Sequence, residues 1–114
     1  MLRNSNKGLL WEENVLHFLE GENYQILAKR FRIKGAEIDL IALQDSTVVF
    51  IEVKYRKSFQ DFEGIVDAKK FERIFMASEI FLSKNPDLKN LEIRFDIIFV
   101  SKDMSLHHIK NISL

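Results

Sequence analysis

Hydrophobic positions along the chain predict two helices and four or five strands. Apolar residues recur at helical spacing from Leu9 to Leu19, and again from about Val66 to Lys84. Short apolar stretches rich in β-branched residues predict the strands. These strands are Tyr24–Lys29, Glu37–Leu43, Thr47–Lys54, Ile93–Val100 and a short edge strand at His107–Ile112. The predicted order is therefore α-β-β-β-α-β-β.

Local signals set the ends of the helices and the direction of the later strands. Asn6 or Ser5 can cap the first helix, and Gly21 can end it. Asn85 precedes a proline, Pro86, and so stops the second helix. Because the second helix carries the chain back across the sheet, the strand after it is expected to run parallel to the strand before it. We therefore predict an α/β fold with a central mixed four- to five-stranded sheet and flanking helices.

The composition is typical of a single globular domain, residues 1–114. Apolar residues make up 46 % and charged residues 30 % of the chain, which excludes a disordered protein. The absence of cysteine excludes disulfides and thiolate metal sites. No apolar run approaches the about 20 residues of a membrane span, and residues 1–8 contain no signal-peptide core. We expect a cytoplasmic protein that has no association with a membrane.

Charge is balanced over the whole chain but clustered along it. Lys plus Arg and Asp plus Glu each number 17, which argues against a protein that simply coats nucleic acid. The basic residues nevertheless form three clusters: Lys29, Arg30, Arg32 and Lys34; Lys54, Arg56 and Lys57; Lys69, Lys70 and Arg73. Any one of these clusters is equally typical of a solvated surface.

The turn between the second and third predicted strands places two acids opposite each other. If Asp45-Ser46 is a two-residue hairpin loop, the numbers of facing residues sum to 91. Asp39 then faces Glu52, with Cβ atoms about 5 Å apart, and Lys54 lies on the same face of the sheet. A three-residue loop without a bulge would break this register.

Two facing acids need something to neutralise them, because at about 5 Å they repel by about 3 kcal/mol at an effective dielectric of about 20. A shared proton, a salt bridge to Lys54 or a divalent cation would each relieve the repulsion. A cation also has a chemical purpose, since Mg²⁺ prefers carboxylate oxygen, keeps several waters and makes a bound water a better nucleophile. Lys54 could then orient that water or stabilise charge on a phosphate. The alternative is a salt-bridged patch on a half-exposed sheet face.

A third acid, Glu12, occupies an unexpected position in the first helix. Its neighbours one turn away are apolar or small, namely Gly8, Leu9, Val15 and Leu16. Glu12 therefore interrupts an apolar stripe, where a solvated acid is not expected. Either it points into the same centre as the facing acids, or it pairs with a nearby Arg or Lys.

Other polar residues carry weaker signals. Asp96 lies in a predicted strand without a second catalytic residue to assist it. We therefore expect it to be a hydrogen-bonded polar residue of the sheet. His17, His107 and His108 lack the spacing of metal ligands and are expected at the surface. The chain contains no phosphate-binding glycine loop, no nucleophile elbow and no HExxH motif.

Two stretches of the chain resemble the signature of the YraN-like family, a family of bacterial proteins in the PD-(D/E)XK nuclease superfamily. They are Glu37-Ile38-Asp39-Leu40-Ile41-Ala42 and Phe50-Ile51-Glu52-Val53-Lys54-Tyr55-Arg56. Residues 8–12 resemble the family's opening Gly-x-x-Gly-Glu, with Trp11 in place of the second glycine. Further matches are Arg30-Phe31-Arg32 to Asn-x-Arg, Lys70 to a helix lysine and Arg94-Phe95-Asp96 to a late Arg-Phe-Asp, whereas Ala36 replaces a glycine.

This resemblance implies a restriction-endonuclease-like fold and a role for each matching charged residue. The implied catalytic residues are Glu12, Asp39, Glu52 and the lysine Lys54, and the three acids are the implied ligands of Mg²⁺ (or Mn²⁺). The implied nucleic-acid contacts are Arg30, Arg32, Arg56 and Lys70.

The implied function is Mg²⁺-dependent hydrolysis of DNA phosphodiesters, with branched DNA or recombination and repair intermediates as substrates. Resolvases of this superfamily act as dimers because a four-way junction has two symmetric cleavage points, and the resemblance is consistent with a homodimer here. One alternative is a non-catalytic module that binds nucleic acid or a partner and keeps the nuclease fold. Another is a structural domain with a salt-bridged sheet face.

Overall fold

The computed structural model describes residues 2–55 and 68–112, with side chains described from residue 11 onward. Its helices are α1 (Leu2–Gly21) and α2 (Ala68–Lys84), followed by a 3-10 turn (Pro86–Leu88). Its strands are β1 (Gln25–Ile33), β2 (Ala36–Gln44), β3 (Thr47–Tyr55), β4 (Glu92–Val100) and β5 (Leu106–Ile109). The order of elements confirms the α-β-β-β-α-β-β prediction, and this architecture is compatible with a restriction-endonuclease-like fold.

The five strands form one mixed sheet in the order β1-β2-β3-β4-β5. β1, β2 and β3 are antiparallel neighbours, β3 and β4 are parallel, and β5 returns antiparallel along β4. The parallel pair confirms the predicted crossover through α2, since a chain that leaves the end of one strand needs a helix-length connection to enter its neighbour in the same direction. β3 therefore lies at the centre of the sheet.

The predicted hairpin between β2 and β3 is also confirmed. Gln44 pairs with Thr47 across the two-residue turn, and the register continues to the pair Leu40 and Ile51. Asp45 in the turn has a φ of 54°, in the left-handed region that such tight hairpins require. The order of facing residues on these strands is thus the one that the turn sequence predicts.

The sheet is buried on both faces, which explains the continuous apolar run in β3. α1 covers one face with Val15 and Leu19, which pack against Val49 and Ile51. α2 covers the other face with Ala77 and Phe81. These two residues pack against Ile41, Val48 and Phe50 of the sheet. Alternate residues of β3 therefore enter two different cores. Among the described residues, no helix is both long enough and apolar enough to cross a membrane.

The predicted boundaries of several elements are wrong. α1 begins at Leu2, so Ser5 and Asn6 lie inside the helix and do not cap it, whereas its end at Gly21 is confirmed. β1 continues to Ile33 because its basic residues alternate with the apolar Phe31 and Ile33, a pattern that suits a strand with one exposed face. β5 occupies Leu106–Ile109 and not His107–Ile112. The predicted start of α2 near Val66 and the loop at 57–64 lie outside the described residues.

Candidate functional site

The candidate site forms where β2 separates from β3. Counted outward from the turn, the last regular pair of these strands is Leu40 and Ile51, and Asp39 and Glu52 occupy the next positions. The Val53 N–H donates to Asp39 Oδ2 at 2.7 Å, although a continued antiparallel ladder would give that N–H a backbone carbonyl of β2. The Asp39 carboxyl group therefore lies in the gap between the two strands and replaces a missing ladder bond.

β1 is also irregular beside Asp39. The β1–β2 register places Arg30 across from Asp39, between the pairs Lys29–Leu40 and Phe31–Ile38. Arg30 has a φ of 52°, which is rare for a residue with a long side chain. The sheet is thus locally distorted on both sides of Asp39.

Asp39 and Glu52 come into direct contact, as the hairpin register requires. Burial, a hydrogen bond to Glu52 and repulsion from its charge raise the pKa of Asp39 to about 8, while the Val53 N–H acts in the opposite direction. Burial also opposes ionisation of Glu52, but its hydrogen bond to Asp39 and its close contact with Lys70 hold its pKa below the ordinary value. At neutral pH the pair therefore carries one proton, which Asp39 donates to Glu52.

Two lysines approach Glu52, and the nearer one comes from α2. Lys70 Nζ lies 2.8 Å from Glu52 Oε2, whereas Lys54 Nζ lies 4.0 Å from the same oxygen. The Lys54 side chain is only 15 % exposed and lines a small cavity with the rings of Phe50, Phe71 and Phe95. Although burial lowers the pKa of Lys70, its close contact with the charged Glu52 outweighs that effect and raises the pKa. Lys70 is therefore cationic beside the acid pair.

Glu52 Oε2 is an unsatisfied buried atom. It accepts no hydrogen bond of acceptable geometry within the described part of the chain, even though Lys70 Nζ is close enough for an ion pair. A buried carboxylate oxygen without a donor is costly and is expected to have a partner. Two adjacent carboxylates with one such oxygen fit a hard divalent cation, because Mg²⁺ commonly binds one or two carboxylates and keeps several waters.

The structure does not bring Glu12 into this pair. Arg30 donates to Glu12 Oε2 at 2.6 Å, and Lys29 Nζ lies 3.7 Å from Glu12 Oε1. Of the two alternatives that the sequence leaves open, pairing with a nearby cation is the observed one. Glu12 and Asp39 do line a common cavity of about 210 Å³ on the α1 side of the sheet, beside Trp11. Among residues 11–55 and 68–112, no group of three acidic or histidine side chains could hold a metal.

A larger cavity opens on the α2 side of the same acids. It measures about 400 Å³, and its walls include Gly35, Asp39, Glu52, Lys70 and Arg73. Asp39 is thus exposed to a cavity on each face of the sheet, because it lies in the gap between the strands.

The predicted nucleic-acid contacts occupy different environments. Arg30 binds Glu12 and Arg32 binds Glu37, each through an ion pair at the surface. Lys70 lies in the site itself, against Glu52. Arg56 lies outside the described residues.

A buried charge network on the α1 side of the sheet was not expected from the sequence. The Asp96 side chain is 0 % exposed and accepts two hydrogen bonds of 2.9 Å from Arg94, which also donates to Tyr24. His108 Nε2 lies 2.7 Å from Asp96 Oδ2, and the Asn111 N–H donates to Oδ1 at 3.0 Å. Asp96 therefore has several partners, and His108, which is 8 % exposed, is not a surface residue. The alternation Arg94-Phe95-Asp96 was the available signal, since it places both charges on one face.

Comparison with known proteins places the chain in one family. The model of "Uncharacterised protein family UPF0102" matches residues 11–100. A UPF0102 protein of Azorhizobium caulinodans is 36 % identical over 91 % of this chain and 79 % of its own length. A similar protein of Rhodopseudomonas palustris is 37 % identical over 90 % of this chain and 78 % of its own length. Another, from Bradyrhizobium, is 40 % identical over 90 % of this chain and 72 % of its own length. The matched region contains every acid and lysine of the candidate site.

Proposed function

The chain belongs to the UPF0102 family, and from that premise we propose that it is a nuclease of the PD-(D/E)XK type that hydrolyses DNA phosphodiesters with Mg²⁺ or Mn²⁺. The observation that carries the proposal is the contact between Asp39 and Glu52, which brings two carboxyl groups together beside an open cavity.

Asp39 and Glu52 would hold the cation. When bound, it would polarise a phosphate oxygen and make water a better nucleophile. The two carboxylates are well suited to hold it, since the Val53 N–H fixes Asp39 and the central strand β3 fixes Glu52. Binding would release the proton that the acid pair shares, so affinity should increase as the pH rises toward about 8, the pKa of Asp39.

Lys54 would act on the charge that develops on the phosphate, or orient the attacking water. Its position supports this role because its side chain is only 15 % exposed and its ammonium lies 4.0 Å from Glu52 Oε2. A charged donor that is fixed before the reaction stabilises a transition state without the cost of reorganising it.

DNA is the proposed substrate because the open cavity beside the acids is bordered by cations. Lys70 and Arg73 line it directly, and the exposed Arg32 and Lys34 lie near it on the β1–β2 hairpin. Cations around an acidic centre suit a polyanion that approaches with its phosphate toward the acids. Because the net charge of the whole chain is zero, we expect binding to depend on these local residues and to weaken with added salt.

A nuclease assay on single-stranded, duplex, flap and four-way DNA, with Mg²⁺ and with Mn²⁺, tests the proposal. We expect cleavage of at least one substrate, dependent on the cation and lost in Asp39→Asn and Glu52→Gln. Glu22→Gln is the matched control, since it removes an exposed acid in the turn after α1 and should cleave at the wild-type rate. Cleavage that survives both site variants would refute the proposed site.

A second candidate function is a non-catalytic module that binds nucleic acid or a partner protein and retains the nuclease fold. The observation that favours it is the pairing of Glu12 with Arg30 and Lys29, which leaves two acids at the centre. It predicts that DNA binds with no cleavage under either cation, and that Asp39→Asn binds as tightly as wild type. Retention of DNA binding together with the absence of cleavage on all four substrates would favour this function.

A further inference from the structure

Lys70 differs from Lys54 in its freedom to move. The Lys70 side chain is 43 % exposed and reaches Glu52 from α2, whereas Lys54 is enclosed on the same strand as Glu52. A lysine is a compact charge on a flexible four-carbon stem, so an exposed one can leave an ion pair at little cost. Among the described residues, Lys70 is thus the nearest cation to the buried oxygen, and it is more easily displaced than Lys54.

We propose that Lys70 is a displaceable internal counter-ion, whose ammonium occupies the place beside Glu52 Oε2 that a divalent cation takes when it binds. This inference rests on the proposed function, because it assigns the regulation of the same metal site. Lys70 is then a positioning residue that sets cation affinity, and not a residue that touches the reacting atoms.

The geometry indicates that a divalent cation would displace the Lys70 ammonium and would not bind beside it. Lys70 Nζ lies 2.8 Å from Glu52 Oε2, and Mg²⁺ binds a carboxylate oxygen at about 2.1 Å. A cation on this oxygen would therefore lie within about 5 Å of the ammonium if Lys70 stayed in place. An ammonium and a dication at that separation repel strongly, so only one of them can occupy the position. The open cavity of about 400 Å³, which Lys70 itself lines together with Arg73, provides room for the displaced side chain.

Displacement would link cation binding to the arrival of the substrate. In the metal-free protein, Lys70 competes with the cation and lowers its affinity. A phosphate in the open cavity would bind the released ammonium and so favour the displaced position. The site would then load its cation more readily with the polyanion present, because a ligand that prefers one of two states shifts the protein toward it.

Isothermal titration of Mn²⁺ into the DNA-free protein tests this inference without measuring activity. Lys70→Met keeps the length of the side chain and removes its charge, and Lys70→Gln provides a second variant. Lys89→Met is the control, since it makes the same change of net charge beyond the far end of α2. Circular dichroism before each titration verifies that every variant is folded.

We expect Lys70→Met to bind Mn²⁺ about two- to fivefold more tightly than wild type, the range that corresponds to an exposed ion pair. Lys89→Met should match wild type, and Asp39→Asn should not bind. If Asp39→Asn fails to bind but Lys70→Met and Lys70→Gln bind no more tightly than wild type, the metal site stands and the counter-ion inference is wrong. If neither wild type nor Lys70→Met binds Mn²⁺, the proposed function fails and this inference fails with it.

Discussion

Replacing Asp39 with asparagine tests whether the acid pair is under the electrostatic strain that its geometry implies. Asparagine keeps the shape of the side chain and an oxygen that can accept the Val53 N–H, but it cannot ionise. Its amide can donate to Glu52, as the protonated acid does. In the absence of metal we therefore expect Asp39→Asn to be more stable than wild type at alkaline pH.

The sign and size of this effect follow from proton linkage. The pKa of Asp39 rises from an ordinary value of 3.8 to about 8 on folding, so folding takes up a proton between these values. The stability contributed by this group is full below pH 3.8 and is lost as the pH rises through about 8. The rise corresponds to about 6 kcal/mol in total, and burial is its largest cause. The direct repulsion between two carboxylates about 5 Å apart is about 3 kcal/mol at an effective dielectric of about 20. The pKa of Glu52 is lowered from its ordinary value of 4.5, so Glu52 is ionised where Asp39 loses its proton.

Thermal unfolding in EDTA over a series of pH values measures the difference. Above the pKa of Asp39 we expect the Tm of Asp39→Asn to exceed that of wild type by about 10 °C, from about 3 kcal/mol and about 4 °C per kcal/mol. Asp39→Ala is the control, since it removes the charge but leaves the Val53 N–H without an acceptor, at a cost of about 1–3 kcal/mol. It should be less stable than Asp39→Asn at every pH.

Added metal gives the complementary measurement. At a hundredfold excess over its Kd, a cation that binds only the folded state stabilises wild type by about 2.7 kcal/mol. Asp39→Asn should gain much less, since it has lost one of the two carboxylates. A stability difference between Asp39→Asn and wild type that does not change with pH, or equal metal-induced shifts in the two proteins, would refute this reasoning.

Three further predictions concern other residues. Lys54→Ala should abolish cleavage and leave DNA binding nearly intact. If Lys54 only separates the acids, the variant should instead lose about 1–3 kcal/mol of stability, and added Mg²⁺ should restore it. Asp96→Ala should lower the free energy of unfolding in urea by about 3–5 kcal/mol, because it removes the buried carboxylate that Arg94 and His108 contact. Tyr55→Leu should cost about 0.5–1.5 kcal/mol and shift the fluorescence of Trp11, whose ring stacks on Tyr55 with centroids 4.3 Å apart; an unchanged emission spectrum would exclude the stack.

The parts of the fold that the sequence predicts correctly are those set by local rules. A two-residue turn fixes the β2–β3 register, and the period of two then determines which residues share a face. The contact between Asp39 and Glu52 follows from these two rules alone, because both residues lie close to the turn that aligns them. The same rules predict the two-sided burial of β3 from its continuous apolar run.

The parts that the sequence could not predict depend on where distant elements meet. Lys70 reaches Glu52 because α2 packs across the sheet, and nothing near Lys70 in the chain indicates that helix position. His108 reaches Asp96 because β5 returns along β4, and the register of a short edge strand has no strong signal in its own sequence. Glu12 was ambiguous for the same reason, since its partner Arg30 lies on a strand whose conformation departs from the regular pattern.

The gap that holds Asp39 follows from the unequal support of β3 by its two neighbours. β3 pairs with β4 over its whole length, from Thr47 to Tyr55, but with β2 only as far as Ile51. The parallel ladder therefore fixes the end of β3 that carries Glu52 and Lys54, and β2 can separate from that end without unfolding it. The backbone donor that this separation exposes at Val53 is satisfied by Asp39. A strand that lacks one neighbour thus holds an acid from the departing strand against its own acid, and the two acids share one proton where the β2–β3 ladder ends.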